Sequence, residues 1–320
     1  MKVTMLYSFL KADIEYIERE LEQAISSSSP SLRDASLHLL QAGGKRIRPV
    51  FVLLAAKFGD YRIERVKNVA VALELIHMAS LVHDDVIDNA KLRRGQPTVK
   101  AEWDNRMAMY TGDYIFARAL EYMTDIENAE AHRILSNTMV ELCIGEINQI
   151  KDKYQYSQNL RDYLRRIKRK TAILMAASCQ LGALAADVPD GLHQKFYQFG
   201  YNVGMAFQIT DDILDFTATE KELGKPAGSD LLQGNVTLPA LYALEDERLR
   251  EQIMQVGEHT TKQEMAEIIH QMKRSDVLDR SRALSQRYLR KALVILDELP
   301  SNRTKKSLRD IAKFVGKRKY

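Results

Sequence analysis

Residues 69–82 read VAVALELIHMASLV, and this run decides the fold class. Its apolar residues fall on every side of a helix rather than in one stripe, which marks a helix buried all round inside a bundle. Outward from it, apolar residues recur at three-and-four spacing over 4–24, 50–58, 64–88, 111–123, 131–151, 160–186, 192–216, 236–254, 262–273, 278–298 and 305–315. Each of these stretches is expected to be helical. Pro49, Pro97, Pro189, Pro226 and Pro300 fall in the breaks or first turns, where helices tolerate them. No alternating strand pair stands out. The expected fold is all-α.

Composition agrees. Of 320 residues, 45% are hydrophobic and 28% charged, enough for a sizeable core, while 15 Gly and 7 Pro are few for a β-rich chain. No linker, repeat or low-complexity block divides 1–320, so a single domain is expected, with SSSSP at 26–30 as a loop. A net charge of +4 does not imply wholesale nucleic-acid binding. Cys143 and Cys179 lack metal-site spacing and read as reduced core thiols of a cytoplasmic protein. The N-terminus turns charged at once and has no signal-peptide cleavage site. The longest uncharged stretch, Thr171 to Ala186, falls short of the about 20 apolar residues that span a bilayer. A soluble protein is expected.

The buried run leads straight into HDDVID at 83–88. Asp84 and Asp88 share one helix face a turn apart, with Asp85 beside them, at a helix C-terminus whose dipole disfavours anions. Each like-charge pair costs roughly 3 kcal/mol at ~5 Å for an effective dielectric of ~20, but under ~1 kcal/mol in water. A solvated charge run would tolerate this; a cluster adjoining a buried helix wants a cation. The same spacing returns in FQITDDILDF at 207–216, with Asp211, Asp212 and Asp215. Oxygen-only clusters of this kind suit Mg²⁺, which keeps waters and completes its shell with substrate phosphates. No His or Cys is interleaved as zinc would want.

Basic residues supply the complement. AGGKRIRPV at 42–50 places Lys45, Arg46 and Arg48 between a glycine pair and a helix-starting proline, a good diphosphate seat. Arg93 and Arg94 form a second seat beside the first aspartates. Lys170 ends RRIKRK, and Lys225 lies in LGKPAGSDLLQGN. Any one basic string could be an ordinary surface patch. With two carboxylate clusters, they describe a site for two phosphorylated substrates bridged by metal.

Taken in order, GGKRIRP at 43–49, HDDVID at 83–88, LRRG at 92–95, Lys170–Thr171, FQITDDILD at 207–215 and GKPAGSDLLQGNVTLP at 224–239 resemble the trans-type prenyl diphosphate synthases over almost the whole chain. Within that family the chain is similar to the catalytic subunit of two-component bacterial heptaprenyl diphosphate synthases. The resemblance implies an antiparallel helix bundle of the isoprenoid synthase type around a deep central cavity, with the aspartate clusters facing each other at its mouth. It implies Mg²⁺-dependent condensation of an allylic diphosphate, such as farnesyl diphosphate, with successive isopentenyl diphosphates, for menaquinone side-chain synthesis. It implies metal binding by Asp84, Asp88 and Asp211, with Asp85 less direct and Asp215 acting through water. Arg93, Lys170 and Lys225 match allylic diphosphate contacts, and Lys45, Arg48, His77 and Arg94 the isopentenyl diphosphate site. Thr171 and Gln208 match residues whose oxygens face the allylic cation. Asn235 departs from the family, where many members have Lys. The resemblance further implies a heterodimer with a small non-catalytic subunit, or a homodimer.

Small Ala79 and Ser80 lie one turn before the first cluster, with Ile76 and Leu73 below. One turn rises ~5.4 Å, roughly one extended isoprene unit. An open tunnel along this helix predicts about seven units, with six or eight as neighbours; close helix packing would explain the small residues equally simply. Three other readings compete: a shorter-chain, geranylgeranyl-type synthase; a class I terpene cyclase, which lacks GGKRxRP; and a carboxylate-bridged di-iron bundle using Glu74–His77 and Glu267–His270. The last leaves the clustered aspartates unused.

Overall fold

The buried run is the middle of a long helix whose residues from Val69 to Ile76 are all buried. In this computed structural model, which describes residues 3–189, 191–220, 226–257 and 259–318, that helix is the fourth of sixteen described α-helices. A 3₁₀ stretch (Val3–Leu10) leads into α1 (Lys11–Ala24), α2 (Pro30–Gln41), α3 (Ile47–Ala56) and α4 (Ile63–Ile87). Two short strands follow, β1 (Leu92–Arg93) and β2 (Gln96–Pro97), then α5 (Val99–Glu102), α6 (Asn105–Thr124) and α7 (Ala129–Asp152). Next come α8 (Leu160–Ile167), a π-helical turn (Lys168–Ala172), α9 (Ile173–Ala185) and α10 (Leu192–Thr217). The chain continues through α11 (Ser229–Leu232), α12 (Leu238–Ala243), α13 (Glu247–Met254), α14 (Lys262–Arg274), α15 (Val277–Asp297) and α16 (Arg303–Lys317).

The chain divides into two compact units. Unit 1 holds Met1–Met139, Ala177–Tyr197 and Leu299–Asp310. Its core is α4, packed on α3 and α6. Contact with α6 is close because Gly112 has no side chain: a Cβ there would lie 2.2 Å from Nε2 of His83. Unit 2 holds Val140–Ala176, Gln198–Glu298 and Ile311–Tyr320. There Met205, Ile209, Ile213 and Phe216 turn one stripe of α10 into a core shared with Tyr163, Ile167 and Leu238. That stripe leaves Gln208, Asp211 and Asp215 on other faces of the same helix.

Several sequence expectations need correction. The loop at 26–30 ends at Ser29, because Pro30 starts α2 at its first turn, where the missing N–H costs nothing. The 236–254 stretch is two helices, with Asp246 capping the second through Leu249 N–H at 3.0 Å. A strand pair does exist: Leu92–Arg93 and Gln96–Pro97 are antiparallel. Their loop is Arg94–Gly95, with φ of 54° and 78°, the positive pair that a tight hairpin turn requires. Cys143 is exposed, so only Cys179 is a core thiol.

Candidate active site

In unit 1 the loop between α2 and α3 is built from left-handed residues, with φ of 77° at Gly43 and 45° at Arg46, the N-cap of α3. Tyr7 OH donates to Lys45 O at 3.1 Å, and Lys45 is exposed. Arg46 is buried and engaged: Nε and NH2 donate to Glu18 at 2.6 and 3.2 Å, NH1 to Glu74 Oε1 at 3.3 Å and NH2 to Leu40 O at 3.2 Å. It fixes the loop. Arg48, on the first turn of α3, has an Nε with no hydrogen-bond partner. Burial pushes its guanidinium down to about 10, Glu74 opposes that, and Arg94 adds to it. The half-buried His77 is held well below its ordinary range, first by burial, then by Arg48, Arg94, Arg93 and Arg46. It is neutral at physiological pH. The hairpin tip presents an exposed Arg94, whose guanidinium is also lowered by burial and by Arg46 and Arg93.

The first aspartates sit where the sequence puts them, on the last turn of α4 with Asp88 as C-cap. Asp84 and Asp88 are half-buried. Asp85 is buried and bound by Arg93, through Nε at 3.0 Å and NH2 at 2.7 Å to Oδ1. Burial raises the Asp85 carboxyl, Arg93 pulls it down, and Asp84 and Asp88 raise it further. Asp85 thus ties the hairpin to the helix, consistent with its less direct place in the cluster.

In unit 2 Lys170 and Thr171 lie in the π-helical turn, a distortion common at functional sites. Lys170 Nζ donates to Gln149 Oε1 at 3.0 Å and lies 3.5 Å from Glu146 Oε2, both on α7. Thr171 OH donates to Gln208 Oε1 at 2.6 Å, Gln208 Nε2 to Asp212 Oδ1 at 2.9 Å, and Tyr163 OH to Asp212 Oδ2 at 2.6 Å. This chain fixes which end of the Gln208 amide meets Thr171. Asp212 is buried, and burial pushes its carboxyl up to about 7 against the lowering by Tyr163 and Gln208. Asp211 is half-buried and pairs with Arg318 NH1 at 2.6 Å; Arg318 also lies over Phe207, 4.6 Å from its ring centre. Asp215 is buried and accepts from Ser229 Oγ at 3.0 Å and Asp230 N–H at 3.2 Å, which anchors the start of α11. Lys225 lies outside the described residues. Asn235 donates its backbone N–H to Asp230 O at 2.8 Å.

The structure therefore brings Lys45, Arg48, His77, Arg94 and the first aspartates into unit 1, and Lys170, Thr171, Gln208 and the second aspartates into unit 2. Sequence reasoning passed over Glu18, Tyr163 and Arg318, whose partners are far along the chain. Glu146 and Gln149 lie three apart on α7, but Asn148 between them and Glu141 and Lys151 about them hid any signal in the sequence. Glu74 was read only in the di-iron pattern, and here its carboxylate faces Arg46. Glu267 is exposed and accepts from Gln271, so the second Glu-x-x-His is a surface feature.

No group of three or more His, Cys, Asp or Glu is gathered for a metal ion among the described residues. Glu74 is engaged by Arg46, and Glu267 and His270 are exposed, so the two Glu-x-x-His patterns are used otherwise than as a di-iron centre. The donor chemistry, paired carboxylates a turn apart, still fits Mg²⁺, which uses one or two carboxylates and fills its shell with water and phosphate.

Comparison with known proteins agrees. The family described as "Polyprenyl synthetase" matches residues 29–272. Heptaprenyl diphosphate synthase component 2 of Geobacillus stearothermophilus is 64% identical over 100% of both chains. The Bacillus subtilis (strain 168) protein of the same name is 62% identical, over 100% of this chain and 92% of its own. The crystal structure of heptaprenyl diphosphate synthase from Staphylococcus aureus superposes with a TM-score of 0.93 at 42% identity, covering 97% of this chain and 98% of that one. A polyprenyl synthase from Caulobacter crescentus, complexed with calcium and isoprenyl diphosphate, gives 0.94 at 31% identity, covering 99% and 98%.

Proposed function

The chain belongs to the polyprenyl synthetase family, and on that premise we propose that it is the catalytic component of a heptaprenyl diphosphate synthase. It extends an allylic diphosphate, farnesyl diphosphate in this reading, with isopentenyl diphosphate to about seven isoprene units for a quinone side chain. In each step the allylic C–O bond breaks, the isopentenyl double bond attacks the freed carbon, and a proton is lost. Asp84 and Asp88 in unit 1, and Asp211 in unit 2, would hold Mg²⁺, which when bound would supply charge stabilisation for the departing diphosphate.

The chain's own residues do the rest. Lys45, Arg48 and Arg94 seat isopentenyl diphosphate, with His77 kept neutral among them as a hydrogen-bonding group. Arg93, Lys170 and Lys225 contact the allylic diphosphate, and Asp85 and Asp215 hold the hairpin and the α11 loop in place. Thr171 and Gln208 turn oxygens towards the cationic carbon, with Asp212 and Tyr163 behind them. Ala79 and Ser80 leave room for the growing chain: Ala79 is buried, and the Ser80 hydroxyl turns back to His77 O at 2.8 Å. One polyprenyl synthetase domain over 1–320 is part of this reading, since a single match spans residues of both units.

The relatives' name, component 2, supports a second subunit. So does the surface of α7, where Val140, Ile144, Ile147 and Ile150 are exposed at helical spacing, an uncharged ridge of the kind a partner helix covers. No helix among the described residues is long and apolar enough to cross a membrane. A cytoplasmic site of action belongs to the proposal, supported by two free cysteines.

One observation carries the reading: paired carboxylates at the end of the buried α4 beside a surplus of guanidinium groups. Supplying farnesyl diphosphate, isopentenyl diphosphate and Mg²⁺, and measuring chain length by mass, tests it. A cyclic hydrocarbon, or a product stopping at four units with the partner present, would sink it.

A further inference from the structure

We propose that Glu74 is a positioning residue for the isopentenyl diphosphate seat: its buried carboxylate is the internal counter-ion that holds Arg46, Arg48 and Arg94 together before the substrate arrives. The inference rests on the reading above that Arg48 and Arg94 bind a diphosphate. Glu74 lies one helical turn before His77 on α4 and is 3% exposed. Its Oε1 accepts from Arg46 NH1 at 3.3 Å, while its buried Oε2 has no hydrogen-bond partner. The cations around it are crowded. A Cβ built on Gly44 would be 2.7 Å from Arg94 NH1 and 3.1 Å from Arg46 NH1, so both guanidinium groups lie against the same glycine.

Charges decide the role. Glu18 neutralises Arg46 with two bonds, at 2.6 and 3.2 Å. That leaves Glu74 as the carboxylate that favours the charged forms of both Arg48 and Arg94, whose like charges otherwise oppose each other. Without it nothing offsets that repulsion; with it the cluster is left with one positive charge in excess, ready for a phosphate. A preset arrangement of this sort lowers the cost of ordering donors when the anion binds. Glu74 touches no substrate in this scheme and acts through the arginines.

Steady-state kinetics of the enzyme with its second component test the proposal. Glu74→Gln keeps the shape and one acceptor but removes the charge, and should raise KM for isopentenyl diphosphate about tenfold. KM for farnesyl diphosphate should stay within about twofold, and the melting temperature within a few degrees. Glu74→Asp keeps the charge one methylene back and should raise the isopentenyl KM by about threefold, between wild type and Gln. If the Gln variant does not fold, the Asp variant carries the same comparison. Unchanged isopentenyl KM, or equal rises in both KM values, overturns the proposal and leaves Glu74 a packing residue. Arg48→Lys and Arg94→Lys separate the two levels. If they raise the isopentenyl KM and the Glu74 variants do not, only the positioning role falls. If neither raises it, the seat itself is misassigned, and the role of Glu74 falls with it.

Discussion

Gly44 has φ of 154°, and the guanidinium of Arg94 already fills the space a methyl group would take. Gly44→Ala should therefore displace Arg94, raise KM for isopentenyl diphosphate about tenfold and cost about 1 kcal/mol in denaturant unfolding. Asp84→Ala or Asp211→Ala should cut turnover by about a thousandfold or more, with the helical circular dichroism unchanged. Asp212 makes a pH prediction. Its folded carboxyl is raised to about 7 from 3.8, so the folded protein binds a proton that the unfolded chain has released between those values. Stability of the metal-free protein should then fall as pH rises from about 4 to 7, and Asp212→Asn should flatten that part of the urea midpoint profile. At this scale local spacing was enough to place the motif residues, Asp84 and Asp88 at the end of α4 and Lys45 and Arg48 about the start of α3. It was not enough for Tyr163 and Asp212, or Arg318 and Asp211, because folding alone makes them neighbours.

Helices were read well where apolar residues repeat without interruption, and α4 is the clearest case. The failures have local causes. In α2 the apolar residues begin only after a proline that looks like a loop residue, and the hairpin after α4 is too short to show alternation. The α4 wall carries a prediction about product length. Ser80→Phe or Ala79→Tyr should shorten the main product to three or four units without abolishing condensation, as mass analysis of the products would show. Wild-type length at normal rate in both would place the tunnel along another helix. The α7 ridge carries another: Ile147→Glu should weaken association with the second component at least about tenfold, measured by calorimetry, while the circular dichroism of this chain stays the same.

For the whole molecule, the all-α class followed from one buried run, whereas the division into two units had no marker in composition. Four of the five boundaries fall inside α7, α9, α10 and α16 and only the one at 298/299 lies between helices, so no Gly- or Pro-rich linker announces the division. Long-chain synthesis should require the second component, and full activity from this chain purified alone would count against a two-component enzyme. The π-helical turn at Lys168–Ala172 matters at this scale too. Helices keep phase: each residue advances the side-chain direction by about 100°. A π turn takes up one residue more than its α counterpart without losing that phase. Excising a single residue, for instance Arg169, would let the segment revert to plain α-helix with every later position of α9 still nearly in phase, because five π residues and four α residues turn through almost the same angle. The buried face of Leu174, Ala177 and Leu181 would keep its direction, although the chain before it had lost a residue. An alignment gap of one residue in this turn is therefore a milder event than the same gap elsewhere in a helix, and a relative that lacks the extra residue should keep the face of α9 while building its Lys–Thr pair differently.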